Sequence, residues 1–268
     1  MLARFRQAQE PGIARLRTLA AAGALPPARP GPRLSLAAVL AAPPLAVIAE
    51  YKRASPSKGP INLALSPEDV AEQYARGGAS AISVLTEEQH FQGSLQFLER
   101  MANATGLGLP LLRKDFLLDP LQLVETAATP AAAALVIVRM FETDDALAGM
   151  LRTAESLGVE AVVEIFDETD LRRARTAMGT LEQAATPRII QVNNRDLDTL
   201  RMDMDTSARL AAFRQPGELW ISASGMSRPG DLAQMRALRY DGVLVGSSLM
   251  AAPDPGSALH ELLSEVRP

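Results

Sequence analysis

The sequence predicts a (β/α)8 TIM barrel preceded by a helical extension. Three observations lead there. From residue 45 onward, short Val/Ile/Leu-rich runs alternate with longer segments of helical period. The runs are continuously apolar rather than alternating, as in parallel strands covered by helices on both faces. There are eight such alternations, the number that closes into a barrel, and the chain of 268 residues has the length that fold commonly takes. A doubly wound open sheet is the competing arrangement, but no Gly-rich dinucleotide fingerprint follows the first strand. The expectation is one domain over 1–268, with 1–44 as the extension and 45–268 as the barrel.

The extension reads as a helix near Leu2–Ala20, a Pro-rich passage and a short helix near Leu34–Ala41. The strands are LAVIAEYK from Leu45, AISVLTE from Ala81, PLLRKDF from Pro110 and AALVIVRM from Ala133. They continue with AVVEIF from Ala161, RIIQVNN from Arg188, LWISAS from Leu219 and GVLVGSS from Gly242. Between them, SPEDVAEQYARGG has Ser66 as N-cap, Pro67 at the first helical position, Glu68 and Asp69 in the first turn, and Gly77 at the end. ETDDALAGMLRTAESLG, DETDLRRARTAM and RPGDLAQMRALRYDG follow the same logic.

Composition narrows the function. A net charge of −4 with no block of like charge argues against nucleic acid as partner. The absence of Cys removes disulfides and thiolate chemistry and agrees with a cytoplasmic location. The opening MLARFRQAQEPGIARLR lacks the apolar core of a signal peptide, and no apolar run reaches membrane-spanning length. His90 and His260 are far apart without companion ligands, so no metal site is expected. His90 is expected to be solvated near a loop tip, and Trp220 to pack between barrel and helices. Without an obvious apolar surface stripe, a monomer is expected.

In a barrel, residues at the C-terminal ends of strands converge on one mouth. In strand order these are Glu50, Lys52 and Ser55; Thr86 and Glu87; Lys114 and Asp115; Glu164; Asn193, Asn194 and Arg195; Ser222 and Ser224; Ser247 and Ser248. The opposite ends read as mostly apolar or turn residues. Glu50 and Lys52 share strand parity, so both side chains leave on one side of the sheet. Such a pair could simply cap the core. Lys52, Lys114 and Glu164 together are harder to explain structurally, because partly desolvated charges are unfavourable unless a function uses them. SASG and VGSS close the last two strands, where barrels often bind phosphate through backbone N–H groups, so Gly225, Gly246 and Ser247 are the phosphate candidates.

At these residues the chain resembles indole-3-glycerol phosphate synthases. IAEYKRASPSKG, LRKDFLLDPLQL, VVEIFDETDL, VNNRDLDTL and VLVGSSLM carry the resemblance, which runs from about Leu2 to Arg267. It implies conversion of 1-(2-carboxyphenylamino)-1-deoxyribulose 5-phosphate to indole-3-glycerol phosphate, with loss of CO2 and water and without metal or organic cofactor. It implies Lys114 as general acid at the ketone, Glu164 as general base, and Lys52 at the substrate carboxylate. Glu50 and Asn193 would hold the lysines and the substrate hydroxyls, and Ser55 and Arg195 would support them. Ser224, grouped with the catalytic residues, falls with Gly225, Gly246 and Ser247 where the family binds phosphate. Pro56, Phe91, Phe116, Leu135 and Leu197 fall where it encloses the aromatic ring.

The chain departs from the family pattern in places. Ala223 stands where a glutamate is expected, and Gln191 where a glycine is common. A barrel of phosphoribosylanthranilate isomerase type would want an Asp or Cys acid–base pair. A low-activity paralogue and a non-catalytic binding barrel are the other readings.

Overall fold

Eight strands pair in parallel and close on themselves, so the expected (β/α)8 TIM barrel is present. The computed structural model describes residues 1–56, 59–105, 108–182, 186–196 and 199–264. The barrel strands are β1 (Ala46–Tyr51), β2 (Ala81–Leu85), β3 (Leu111–Lys114) and β4 (Ala133–Ile137). They continue with β5 (Glu160–Ile165), β6 (Arg188–Asn193), β7 (Glu218–Ala223) and β8 (Gly242–Val245). Strand β8 returns to β1, with Ala46 opposite Gly242 and Ala49 opposite Val245. Each strand begins within one residue of its predicted start. Continuous apolar runs are unambiguous when both faces are covered, and β1, β2 and β4 are buried throughout.

The helices that cover the barrel start where the caps place them. Ser66 accepts the Asp69 N–H at 3.1 Å, and Asp69 Oδ2 accepts the Ser66 N–H at 3.2 Å, which starts α3 (Pro67–Gly77). The left-handed terminator is Gly78, at φ 92°, rather than the predicted Gly77. Gly77 has a different reason to be glycine. A Cβ there would come within 3.1 Å of the Gly256 backbone, because α3 crosses α11 (Pro255–Leu263) at that point. Thr143 and Asp167 cap α6 (Asp144–Ser156) and α7 (Glu168–Met178) in the same way.

The extension is bound to both ends of the barrel. Helix α2 (Leu36–Ala41) sits at the strand N-termini, where Glu160 Oε2 accepts the Leu36 and Ala37 N–H groups at 2.8 and 3.0 Å. That end also carries Glu218, which takes Arg175 at 2.7 Å and the Trp220 indole N–H at 2.9 Å. The lower rim, expected to be mostly apolar or turn residues, thus also carries Glu160 and Glu218, each held by hydrogen bonds. Burial acts to raise the Glu218 pKa, and hydrogen bonds from Arg175, the Gln215 N–H and Trp220 outweigh it and lower it. Trp220 is buried as expected.

Helix α1 (Leu2–Ala21) runs the other way, along α5 (Pro120–Ala127) toward the mouth. Arg15 pairs with Glu125, and Arg17 with Asp119 at 2.9 Å. Gln9 donates to Asp115 Oδ1 at 3.0 Å and accepts from Gln122 at 2.8 Å. Phe5 ends this line, stacked on Phe116 at a centroid distance of 3.9 Å.

Candidate active site

A cavity of about 300 Å³ opens at the C-terminal ends of the strands, within the range of small-molecule sites. Its charged groups come from three strands. Lys52 follows β1 and donates to Glu50 Oε1 at 2.7 Å. Lys114 ends β3, and its Nζ lies 4.0 Å from Glu164 Oε2 on β5. Glu50 and Glu164 are buried, with side chains 3% and 1% exposed, while Lys52 and Lys114 keep 13% and 18%. The acids are thus fixed in the wall and the ammonium groups face the opening.

Each acid is anchored from behind or beside. The Tyr74 hydroxyl of α3 donates to the Glu50 carbonyl at 2.9 Å. Burial first, and the Glu50 charge next, push the Tyr74 phenol well above its ordinary value, so it remains a neutral donor. Glu164 Oε2 accepts Gln191 Nε2 at 2.5 Å and Asn193 Nδ2 at 3.2 Å, both from β6. In the parallel register Glu164 lies opposite Gln191, so the residues meet by adjacency. Glu50 Oε2 and Gln191 Oε1 are buried without a partner among the described residues.

The apolar end is made by Phe91, Phe116, Leu135 and Ile137, with Phe5 of α1 added. Phe91 and Phe116 have centroids 6.0 Å apart. The opposite end is backbone-rich. After β7, Ser224 and Gly225 both take positive φ, 70° and 93°. For a serine this is a strained conformation, of the kind found where a loop must aim its backbone at a ligand. Asn194 Nδ2 holds the Ser224 carbonyl at 3.1 Å. After β8, Gly246 precedes the short helix α10 (Ser247–Met250). A Cβ on Gly246 would lie 2.9 Å from Glu50 Cβ and closer still to Oε1, so the acid and the loop touch because that side chain is missing.

The predicted residues meet. Glu50, Lys52, Ser55, Pro56, Phe91, Lys114, Phe116 and Leu135 line this one cavity. So do Glu164, Asn193, Arg195, Ser224, Gly225, Gly246 and Ser247. Leu197 lies outside the described residues. Ser55 and Pro56 come from a small antiparallel hairpin, Ala54–Ser55 against Gly59–Pro60, rather than from β1 itself.

Several strand-end residues do not reach the mouth. Asn194 and Ser222 point outward to α8 (Asp205–Ala211), where Ser207 Oγ meets them at 2.8 and 2.7 Å. Alternation within the strands explains this: Asn193 and Ala223 face inward, so Asn194 and Ser222 face out. Thr86 donates to Asp115 at 2.6 Å. Glu87 accepts the His90 and Phe91 N–H groups at 2.7 and 3.0 Å. His90 is not solvated as expected: its ring packs edge-on against Phe5 at 5.2 Å, and Nδ1 lies 3.0 Å from Glu87.

Sequence reasoning missed Phe5, Ile137, Leu200 and Met202 as lining residues. For Phe5 a signal existed, because Phe5, Ile13 and Leu16 fall on one face of a 3.6-residue helix and are the buried residues of α1. Nothing in that pattern says what the face meets.

A family model described as "Indole-3-glycerol phosphate synthase" matches residues 7–262. The chain belongs to the indole-3-glycerol phosphate synthase family. It is 43% identical over 241 residues to the indole-3-glycerol phosphate synthase of Roseiflexus sp. (strain RS-1), covering 88% of this chain and 86% of that one. Against the indole-3-glycerol phosphate synthase of Carboxydothermus hydrogenoformans the identity is 42% over 219 residues, 81% of this chain and 79% of that protein. Among solved structures, 3-hexulose-6-phosphate synthase from Salmonella typhimurium superposes with a TM-score of 0.62 at 16% identity. That match covers 83% of this chain and 98% of the other, and it shows the shared barrel alone. No helix among the described residues is long and apolar enough to cross a membrane. The two relatives carry the same name, and the site of this chain brings acids, ammonium groups and an apolar slot into one cavity.

Proposed function

We propose that this chain is a carboxy-lyase that converts 1-(2-carboxyphenylamino)-1-deoxyribulose 5-phosphate to indole-3-glycerol phosphate, CO2 and water. The observation that carries the reading is the meeting of Lys52, Lys114 and Glu164 in one cavity with an aromatic slot at one end and a glycine-rich rim at the other. The substrate is a phosphorylated small molecule. Its phosphate binds the N–H groups at Ser224, Gly225, Gly246 and Ser247, and its ring lies among Pro56, Phe91, Phe116 and Leu135. Anchoring both ends of a flexible molecule brings the ring carbon to the ketone.

The ring carbon that bears the carboxylate attacks the ketone carbon, and Lys114 gives its proton to the carbonyl oxygen. Lys52 holds the carboxylate until the C–C bond breaks and CO2 leaves, returning the electron pair to the ring. The new hydroxyl then departs as water with a second delivered proton, while Glu164 removes a proton from the ring system to form the indole. Glu50 and Asn193 hold Lys52 and Glu164 in place, supported by Ser55 and Arg195. Residues 1–44 and 45–268 work as one domain, a reading supported by Phe5 and Gln9 reaching the mouth. A monomer in the cytoplasm accords with the composition.

The test is appearance of indole fluorescence when purified protein is mixed with the substrate. No turnover by the unaltered chain would overturn the proposal. With turnover established, Lys114→Ala should lower kcat by about a hundredfold or more with a much smaller change in KM.

A further inference from the structure

We infer that Gln191 is a positioning residue for the reaction: its side-chain amide fixes the carboxylate of Glu164, the inference resting on Glu164 as the base proposed above. The geometry is specific. Gln191 lies in the middle of β6, fully buried, and points its amide at Glu164 Oε2 from 2.5 Å. A carboxylate only accepts, so the nitrogen must be the group that faces it. Asn193, one pleat further along the same strand, gives the same oxygen a second hydrogen bond at 3.2 Å. Lys114 is 4.0 Å from it. All donors therefore gather on Oε2, and no hydrogen bond from a described residue reaches Oε1. The plane of the carboxylate is set by one oxygen, and the other is left for the substrate.

A buried carboxylate needs a donor, but folding alone does not require that donor to be an amide whose own oxygen is buried. The amide oxygen of Gln191 is buried and has no partner among the described residues. An apolar side chain of similar volume would fill the same space without that unsatisfied group. A buried amide half of whose capacity is unused is kept for what the other half does, which here is to hold an acid lining the cavity. Asn193 alone would leave the carboxylate with one longer hydrogen bond and freedom to rotate.

Gln191→Met tests this, because it keeps the volume and removes the donor. The expected result is a kcat lowered by about tenfold to a hundredfold with KM within about threefold, in a protein that still melts cooperatively, at a temperature no higher than the parent's because Glu164 loses a donor. In a Glu164→Gln background the same substitution should change kcat by less than about twofold, since groups acting as a unit are not additive. Gln191→Asn, which keeps an amide too short to reach, should behave as Gln191→Met does, and it serves if the Met variant does not fold. A parent-like kcat in both Gln191 variants overturns the inference. So does an equal fall in kcat in the two backgrounds, which is what a merely structural residue would give. A parent-like kcat for Glu164→Gln alone would instead remove Glu164 as the base.

Discussion

Gly246→Ala should disable the site while leaving the barrel folded. The backbone at Gly246 has a negative φ, −136°, so the substitution does not force a side chain into the left-handed region. The main effect comes from one methyl group. It would lie 2.9 Å from Glu50 Cβ and 3.0 Å from Cδ. Carbon atoms rest at about 3.5–4.0 Å, so roughly 0.5–1 Å must be found. The Glu50 side chain has little room to give way. It is buried, its carbonyl is held by Tyr74 at 2.9 Å, and its Oε1 is bonded to Lys52 at 2.7 Å. The displacement is therefore passed to Lys52. A misplacement of that size at a reacting group lowers rates by about tenfold to a hundredfold, or about 1.4–2.7 kcal/mol. Overpacking should also lower stability by about 1–3 kcal/mol. Steady-state kcat and KM from product fluorescence, with a thermal melt of the same sample, separate the two effects. A folded Gly246→Ala protein with kcat within about threefold of the parent would refute the claim that Glu50 and the β8 loop are in forced contact.

Phe5→Ala should lower stability by about 3–5 kcal/mol and raise KM, because it removes the stack on Phe116 and one wall of the cavity; a denaturant titration and a substrate curve check both. Gly256→Ala should lower stability by about 1–3 kcal/mol with kcat unchanged, because its Cβ would meet the Gln73 carbonyl oxygen at 2.5 Å, away from the mouth. Glu218 has a lowered pKa, so its contribution to stability is fully present above the unfolded value near 4.5 and is lost as pH falls through the folded one. Melting temperatures measured from pH 6 down toward about 3 should fall more steeply for the parent than for Glu218→Gln, whose curve starts lower. Parallel curves would remove that assignment.

The strands were readable because parallel strands carry their burial on both faces. LAVIAEYK and AALVIVRM admit few other assignments in a chain of this length. The charged triad was readable too, because inward-facing strand ends are few and Lys there is rarely structural. What the sequence hides is lateral. Asn193 and Asn194 are identical in type, and only the pleat decides that one lines the cavity while the other braces Ser207 and Ser224. Gln191 was visible as an unusual residue, but its bond to Glu164 depends on the stagger between β5 and β6. Phe5 was on a legible apolar face, yet its meeting with His90 and Phe116 depends on where an 20-residue helix docks on the barrel. Contacts between segments far apart in sequence have no periodic signature.

The charge balance of the mouth explains why it tolerates Ala223. Glu50 with Lys52 and Glu164 with Lys114 are two opposed pairs in a partly desolvated cavity, so their sum is zero. Asp115 and Arg195 also line the cavity and offset each other in the sum. A glutamate at 223 would lie beside Asn193 in the register and make the sum negative. With alanine there, the empty site stays neutral toward a substrate that brings both a carboxylate and a phosphate. On the proposed reaction that demand changes during turnover, because decarboxylation removes one of the two anions. Lys52 then has no substrate partner, and Glu50, fixed 2.7 Å from it, takes it back. Glu50 is therefore the resting partner of a lysine whose other partner is destroyed by the chemistry, and re-forming that pair favours release of a product that has lost one of its two anionic anchors.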